Sequence, residues 1–126
     1  MIVGMGIDIV AIQRIESLLE RFGDRFLRRV FTEGEIDYCK GKRNPSPHLS
    51  ARFAAKEAAS KALGTGYANG IRFIDIEVTR DRARPSLLLH NKARELAGHI
   101  GVCRMHISIS HDRLYAAATV ILEDTD

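Results

Sequence analysis

The chain contains 126 residues, of which 45% are hydrophobic and 28% are charged, and its formal net charge is only +3. This size and composition suit one core, so we expect a single domain over residues 1–126 and no second domain. The two cysteines form no Cys-x-x-Cys pair, and neither a basic leader nor a membrane-spanning run opens the sequence. These features argue against a disulfide framework and a membrane protein and favour a soluble, cytoplasmic one.

The first predicted element is a β-strand over residues 3–10. Apolar side chains alternate there with two glycines and an acid, so Gly4, Gly6 and Asp8 share one face of the strand. An acid within an apolar strand is energetically costly unless it is paired, hydrogen-bonded or bound to a metal. Asp8 therefore indicates either a functional site or a structural role, such as capping a helix that begins near Ala11.

Two helices are predicted after this strand. Apolar residues recur at helical spacing over residues 12–22, and Gly23 is a suitable stop. Thr32 and Glu35 have the spacing of a capping box, which predicts a short helix that ends around the next glycine. The following segment, residues 42–48, contains two prolines and is expected to be a loop.

Four arginines form a candidate basic surface in this region. Arg14, Arg21, Arg25 and Arg28 would fall within a narrow sector if the helical phase continued past Gly23. Such a sector can be an ordinary solvated face or a docking surface for an acidic partner. The sequence pI of about 9.1 also suggests a nucleic-acid-binding module. Against that alternative, aromatic residues are only 6% of the chain and tryptophan is absent, so base-stacking platforms are poor.

The long helix predicted over residues 49–63 carries the most informative pattern. Phe53, Glu57 and Lys61 are each four residues apart and lie along one face. Glu57 and Lys61 could simply form an exposed pair of modest value. If Glu57 instead converges with Asp8, two carboxylates would suit Mg²⁺, which usually completes its shell with water and substrate phosphates. That alternative predicts a phosphate-bearing substrate.

A glycine-rich turn over residues 64–66 ends this helix. Lys61 and the N–H groups of the turn could contact phosphate oxygens. The turn is not a Walker A loop, because its glycines follow the helix and the helix dipole there disfavours an anion. A glycine at a helix end is more often a C-cap.

The C-terminal half predicts short strands and one further helix, so the whole chain has the α+β pattern of mixed helices and antiparallel strands. The expected elements are a strand over residues 74–79, a turn around Pro85, a strand over residues 86–90, a helix capped by Asn91, and a hairpin of residues 105–109 and 114–122 around His111-Asp112-Arg113. A fold of this class does not by itself assign a function.

Two motifs together resemble the paired signature of the 4′-phosphopantetheinyl transferases. They are Gly6-Ile7-Asp8-Ile9-Val10 and, about forty residues later, Arg52-Phe53-Ala54-Ala55-Lys56-Glu57-Ala58-Ala59-Ser60-Lys61-Ala62-Leu63-Gly64. The chain length is similar to the short bacterial type of this family. The resemblance covers essentially the whole chain, including the Asn69-Gly70 turn, and departs from the family at Ala83-Arg84-Pro85, where Gly-Lys-Pro is frequent.

The resemblance implies an antiparallel sheet packed with a long central helix and shorter helices. It also implies transfer of the phosphopantetheine arm of coenzyme A to a serine of apo acyl carrier protein, with release of adenosine 3′,5′-bisphosphate. By the same resemblance Asp8 and Glu57 would bind Mg²⁺ at the pyrophosphate, and Lys61 would stabilise the developing charge, which makes these three the expected catalytic residues. The serine proton would pass to Glu57 or to a water on the metal, and the sequence leaves both open.

The binding partners implied by the resemblance are coenzyme A, the carrier protein and other copies of the chain. The residues expected around the coenzyme are Arg52, Phe53, Lys61, Gly64, Thr65, Arg84, Pro85 and His111. A polar hairpin turn explains His111 equally well. The arginines of the basic surface, Arg14 and Arg21 first, would dock the acidic carrier protein. Related short enzymes are trimers with active sites between subunits, so the resemblance also implies a homotrimer. In the alternative of a non-catalytic carrier-binding domain, Asp8 and Glu57 would have structural roles.

Overall fold

The computed structural model describes residues 1–68 and 70–125, and it shows helices packed against antiparallel sheets, so the α+β prediction is confirmed. Asn69, part of the expected Asn69-Gly70 turn, and Asp126 lie outside the described residues. In chain order the elements are β1 (Ile2–Ala11), α1 (Ile12–Phe22), α2 (Asp24–Val30), α3 (Glu33–Lys40), α4 (Pro45–Ala62), a 3₁₀ turn (Phe73–Asp75), β2 (Ile76–Asp81), β3 (Arg84–Leu89), α5 (Asn91–Ile100), β4 (Arg104–His111) and β5 (Tyr115–Glu123).

The strands form two antiparallel sheets. One has the order β1-β5-β4, and the other pairs β2 with β3. The C-terminal hairpin predicted from the sequence is formed by β4 and β5. In the larger sheet, Asp8 of β1 and Ile109 of β4 both lie opposite Ala118 of the central strand. Within the described residues, no helix combines the length and the hydropathy that crossing a bilayer requires.

Helix α4 is the centre of the fold, and small residues let the sheet approach it closely. A Cβ atom at Gly4 or Gly6 would overlap the backbone oxygen of Ala62 or Ala58, respectively. Only glycine fits at these two positions, because the obstacle is helix backbone and cannot move aside. Asp8 is the next residue on this face of the strand, so the same close approach brings its side chain to the helix.

The opposite face of β1 is apolar and exposed in the single chain. Met5, Ile7 and Ile9 are 64%, 69% and 65% exposed. The predicted alternation is therefore confirmed, but the face that packs inside is the one with the glycines and the acid. The bulky apolar face is left uncovered.

A buried ion pair joins α4 to α3. Lys56 Nζ lies 2.6 Å from Glu35 Oε1, and both side chains are fully buried. The ammonium also donates to the carbonyl of Ile76, and the carboxylate accepts from the N–H groups of Thr32 and Val78. The predicted capping box at Thr32 and Glu35 is present, and the same glutamate holds the edge of β2.

Helix α4 begins at Pro45, so the loop predicted over residues 42–48 is present only over residues 42–44, and the predicted helix start at residue 49 is wrong. Both prolines of this segment, Pro45 and Pro47, lie in the first helical turn. Proline is tolerated there, because the N–H groups of the first turn have no partner within the helix.

The unpredicted helix α2 follows Gly23 directly. Gly23 has a φ of 52° and a ψ of −128°, so the chain direction changes at this residue. The helical phase of α1 is therefore not continued. Arg14 and Arg21 lie on a different helix from Arg25 and Arg28, and the single sector that a continuous helix would give them is not formed.

The strand predicted from residue 74 begins only at Ile76, because Phe73–Asp75 form a 3₁₀ turn. Asp75 is 1% exposed, and its carboxylate accepts from the Arg72 N–H at 3.0 Å. The alternation of apolar and acidic residues therefore begins within the 3₁₀ turn, and Asp75, the first of these acids, is buried.

The tight turn between β2 and β3 lies at Arg82 and Ala83, and not around Pro85 as predicted. Arg82 and Ala83 have φ values of 58° and 106°. Pro85 lies within the ladder, opposite Arg80. The predicted cap of α5 also shifts by one residue, since His90 is the N-cap and Asn91 is the first helical residue.

Candidate active site

The predicted catalytic residues Asp8, Glu57 and Lys61 converge where β1 crosses α4. Lys61 Nζ donates to Asp8 Oδ1 at 3.0 Å and to the carbonyl of Ile7 at 3.1 Å. The Asp8 side chain is 17% exposed, and that of Lys61 is 53% exposed. The close contact of Gly6 with α4 explains this meeting, because it leaves no room between the strand and the helix.

The two carboxylates of this site interact electrostatically. Burial raises the pKa of Glu57, and the negative charge of Asp8 raises it further. The positive charges of Lys61 and Arg14 act in the opposite direction on the same pKa. Two acids that repel each other in a half-buried position form a site that a cation would stabilise.

The donor set fits Mg²⁺ better than a transition metal. Asp8 and Glu57 offer carboxylate oxygens, and Mg²⁺ is usually held by one or two protein carboxylates, water and substrate phosphates. Among residues 1–68 and 70–125, no group of three or more histidine, cysteine, aspartate or glutamate side chains could hold a metal. A closed, all-protein zinc site is therefore not formed in this part of the chain.

A second group of side chains, the cationic cluster, lies around Tyr38. The guanidinium carbon of Arg52 is 4.2 Å from the centroid of the Tyr38 ring, and Lys42 Nζ is 4.5 Å from it. Arg80 lies at 5.3 Å and donates from Nη1 to the Tyr38 hydroxyl at 2.8 Å. The members of the cluster are Tyr38, Lys42, His48, Arg52, Arg80 and His111.

The cationic cluster has no acidic counterpart in the described residues. Arg52 is 2% exposed, its Nε has no hydrogen-bond partner there, and its Nη1 donates only weakly, at 3.4 Å, to the carbonyl of His48. Within the same residues, Lys42, Arg52 and Arg80 form no ion pair with a carboxylate. A buried guanidinium without an anion is costly, so this cluster is suited to binding an anionic ligand.

Several residues expected around the coenzyme meet at this cluster. Arg52 is a member of the cluster, and His111 contacts it through His48, since the ring centroids of the two histidines are 5.8 Å apart. Pro85 lies opposite Arg80 in the β2–β3 ladder. Burial lowers the pKa of His48, and the positive charge of His111 lowers it further, so the neutral imidazole is favoured.

No sequence motif indicates a role for Tyr38, Lys42, His48 and Arg80, so their place in the cluster was not predicted. One signal was available, since His48 and Arg52 are four residues apart and share a face once α4 begins at Pro45. The other contacts join α3, β2 and the loop before α4, and local spacing does not predict such contacts.

The remaining residues expected to bind coenzyme are members of neither group. Phe53 is 5% exposed, stacks on Phe73 at a centroid distance of 5.7 Å, and lies under the guanidinium of Arg14 at 5.5 Å. Gly64 is exposed with a φ of 89°, as a helix-ending glycine requires. Among the described residues, Thr65, whose hydroxyl donates to the Gly66 carbonyl, and the exposed Arg84 form no hydrogen bond or ion pair with Asp8 or Glu57.

The arginines expected to dock a partner are all exposed. The guanidinium of Arg21 lies over the ring of Phe22 at 5.3 Å, and Arg25 lines an apolar groove with Phe22 and Phe26. Arg28 lines a different hollow, which also contains Asp24, Glu33 and Asp37. Arg21 and Arg25 therefore border apolar surface, while Arg28 has acidic neighbours.

Comparisons with known proteins agree along nearly the whole chain. A model of the 4′-phosphopantetheinyl transferase superfamily matches residues 4–120. A curated relative from Koribacter versatilis, named holo-[acyl-carrier-protein] synthase, is 51% identical over 125 residues, covering 98% of this chain and 100% of the relative. A holo-(acyl-carrier-protein) synthase from Bacillus anthracis, solved in complex with CoA (3′,5′-ADP), is 41% identical with a TM-score of 0.81 and 99% of both chains covered. That from Neisseria meningitidis is 33% identical with a TM-score of 0.89, covering 98% of this chain and 100% of the other.

Proposed function

The chain belongs to the 4′-phosphopantetheinyl transferase superfamily, and on this premise we propose that it is a holo-[acyl-carrier-protein] synthase. It transfers the 4′-phosphopantetheine group from coenzyme A to a serine of apo acyl carrier protein and releases adenosine 3′,5′-bisphosphate. The observation that carries the proposal is the convergence of Asp8, Glu57 and Lys61 in a chain similar over its length to such synthases. A nucleic-acid-binding module or a non-catalytic carrier-binding domain is not favoured, because the named relatives are enzymes.

Asp8 and Glu57 are the residues that would hold Mg²⁺. When bound, the ion would neutralise negative charge on the pyrophosphate of coenzyme A. The ion pair with Lys61 fixes the orientation of the Asp8 carboxylate. The ammonium of Lys61 has three donors, of which two are used by Asp8 and Ile7, so one remains for a phosphate oxygen.

Glu57 is our candidate for the group that accepts the serine proton. Burial and the charge of Asp8 raise the pKa of its carboxyl, and a carboxylate with a raised pKa is a stronger base. The positive charges of Lys61 and Arg14 oppose part of this rise in the pKa of Glu57.

The cationic cluster would bind the end of coenzyme A that carries the 3′-phosphate. Arg52 and Glu57 are five residues apart on α4, which corresponds to about 7.5 Å along the helix axis. Coenzyme A carries a pyrophosphate and a separate phosphate on the ribose, so each could meet one of the two groups of side chains. Gly64, Thr65 and the Arg84-Pro85 segment remain our candidates for further contacts with the coenzyme.

The exposed arginines of α1 and α2 would dock the acidic carrier protein. Arg14 joins this surface to the catalytic site, because its guanidinium lies over Phe53 and its charge acts on Glu57. Arg21 and Arg25 border the apolar groove, where a partner could bury surface beside the charges. Arg28 is the weakest candidate, since its acidic neighbours offset its charge.

We also propose a homotrimer with active sites between subunits, working in the cytoplasm. The support within this chain is the uncovered apolar face of β1, where Met5, Ile7 and Ile9 are each more than 60% exposed. A contiguous apolar face of this kind favours association. Light scattering of the purified protein tests the trimer directly, and a monomer at micromolar concentration would refute it.

The reaction can be tested by intact-mass spectrometry. Purified apo acyl carrier protein is incubated with the protein and coenzyme A, with Mg²⁺ or with a chelator. We expect one phosphopantetheine to be added only when metal is present. Carrier protein in which the acceptor serine is replaced by alanine is the control and should stay unmodified. No addition to several carrier proteins, with folding of the enzyme verified, would contradict the proposed function.

A further inference from the structure

Tyr38 is surrounded by positive charge on several sides. Arg52 and Lys42 lie over its ring at 4.2 Å and 4.5 Å, and Arg80 donates to its hydroxyl at 2.8 Å. His48 packs edge-on against the ring, with centroids 6.2 Å apart. These groups come from α3, α4, β2 and the loop between α3 and α4, so one aromatic side chain connects separate parts of the fold.

The tyrosine supplies the negative potential that the cations otherwise lack. The face of an aromatic ring attracts cations, and a desolvated guanidinium gains most from it. The charges that act on the Tyr38 phenol are those of Arg80, Lys42 and Arg52, all of them cations. Burial alone would raise the pKa of Tyr38, but its hydrogen bond with Lys42 and these charges outweigh burial and lower it. The phenol is therefore a stabilising partner for cations that have no carboxylate.

Arg52 and Arg80 both keep N–H groups that form no hydrogen bond among the described residues. Arg80 uses Nη1 for Tyr38 and Nη2 for the carbonyl of Ala83, while the Nε of the buried Arg52 is unused among the described residues. A phosphate monoester carries a charge between about −1.5 and −2 and three acceptor oxygens, which matches a site of several cations better than a singly charged diester does.

We propose that Tyr38 is a positioning residue that holds Arg52 and Arg80 for the 3′-phosphate of coenzyme A and so sets the preference for coenzyme A over 3′-dephospho-coenzyme A. This inference rests on the proposed function. The tyrosine does not react. It keeps two long side chains in one geometry before the ligand arrives, which reduces the entropy lost on binding.

The test compares two substitutions with two donors. Tyr38→Leu removes the ring and the hydroxyl, whereas Tyr38→Phe keeps the ring over Arg52 and Lys42 and removes only the hydroxyl with its hydrogen bonds to Arg80 and Lys42. We expect Tyr38→Leu to raise the KM for coenzyme A about tenfold and to leave that for 3′-dephospho-coenzyme A within about twofold. Tyr38→Phe should lie between the wild type and Tyr38→Leu. Tyr115→Phe, at an exposed tyrosine outside the cluster, is the matched control and should change neither constant.

The outcomes separate this inference from the proposed function. If Tyr38→Leu raises both KM values equally, the residue has only a structural role and the inference is overturned. If that variant does not fold, Tyr38→Phe decides alone, and an unchanged ratio of the two KM values overturns the inference while transfer by the wild type stands. If the wild type transfers nothing, the proposed function fails, and calorimetry with adenosine 3′,5′-bisphosphate and adenosine 5′-monophosphate then tests the anion site. Equal affinities of the wild type for these two nucleotides would overturn the inference as well.

Discussion

Gly6 of β1 and Ala58 of α4 approach so closely that a methyl group on the glycine would overlap the carbonyl oxygen of the alanine. This backbone contact places Asp8, two residues further along the strand, next to the helix that carries Glu57 and Lys61. The position of the candidate catalytic carboxylates therefore depends on a residue that has no side chain.

Replacing Gly6 by alanine should lower both stability and activity. The added methyl group forces the strand away from α4, and overpacking of this kind costs about 1–3 kcal/mol of unfolding free energy. Gly98 on α5 is the matched control, because nothing lies within 4 Å of a Cβ atom there. Gly98→Ala should instead stabilise the protein by about 0.5–1 kcal/mol, as alanine favours a helix. Urea unfolding measures both changes, and equal effects at the two positions would contradict the steric explanation.

The buried pair of Lys56 and Glu35 should be strongly coupled. Lys56→Met leaves a fully buried carboxylate without its cation and should cost about 3–5 kcal/mol of unfolding free energy. The double variant with Glu35→Gln should lose less than the sum of the single variants, because no unpaired charge remains. Some loss will persist, since both side chains also bond backbone groups of β2. Urea unfolding of all four proteins completes the cycle, and additive losses would show that the two residues do not interact.

The sequence predicted what depends on local spacing and failed where distant segments meet. Alternation in β1 placed Asp8 on the glycine face, and helical spacing placed Glu57 and Lys61 together. Whether the strand and the helix meet was left open by these patterns, and the structure brings Asp8 into contact with Lys61. The contacts of Tyr38 and Arg80 join elements far apart in the chain, and no local pattern encodes them. Helix boundaries near proline and glycine were also unreliable, because proline is tolerated in the first turn of a helix and a glycine that ends one helix can directly precede another.

Acid should weaken the protein partly through Asp75. Burial alone would raise the pKa of this carboxyl, but hydrogen bonds from the Arg72 N–H, the Asn91 amide and the Arg72 guanidinium outweigh burial and lower it. A carboxyl whose folded pKa lies below its unfolded value of 3.8 contributes stability above that pH. The contribution is lost as the pH falls below it toward the folded value.

Asp75→Asn should therefore be less stable than the wild type at pH 7 and lose less stability on acidification. Urea unfolding at pH 7 and near pH 3.5 measures the difference. Asp81→Asn, at an exposed acid near the end of β2, is the control and should follow the wild type at both pH values. An identical acid dependence of Asp75→Asn and wild type would mean that this carboxyl titrates alike in both states.

Asp8→Asn and Glu57→Gln should leave the chain folded and reduce transfer by about 100-fold or more. Each substitution removes one of the two carboxylates proposed for Mg²⁺. Because burial and Asp8 raise the pKa of Glu57, its neutral amide should not destabilise the protein. Glu95→Gln on α5, where the side chain is exposed, should keep normal activity. Turnover is measured by intact mass of the carrier protein over a range of Mg²⁺ concentrations, and near-normal rates in both variants would refute the metal assignment.

The docking surface should act on one substrate only. Replacing Arg14 and Arg21 by alanine should raise the KM for apo acyl carrier protein about tenfold and flatten its dependence on salt, because fewer exposed charges steer the acidic partner. The KM for coenzyme A should stay unchanged, since the cationic cluster is separate from these arginines. Arg94→Ala on α5 removes an exposed arginine elsewhere and controls for net charge.

The single variants separate two effects. Arg21→Ala should alter only the KM for the carrier protein, whereas Arg14→Ala should also change kcat, because the charge of Arg14 acts on Glu57. Equal weakening toward both substrates would indicate a damaged fold and not a lost docking surface.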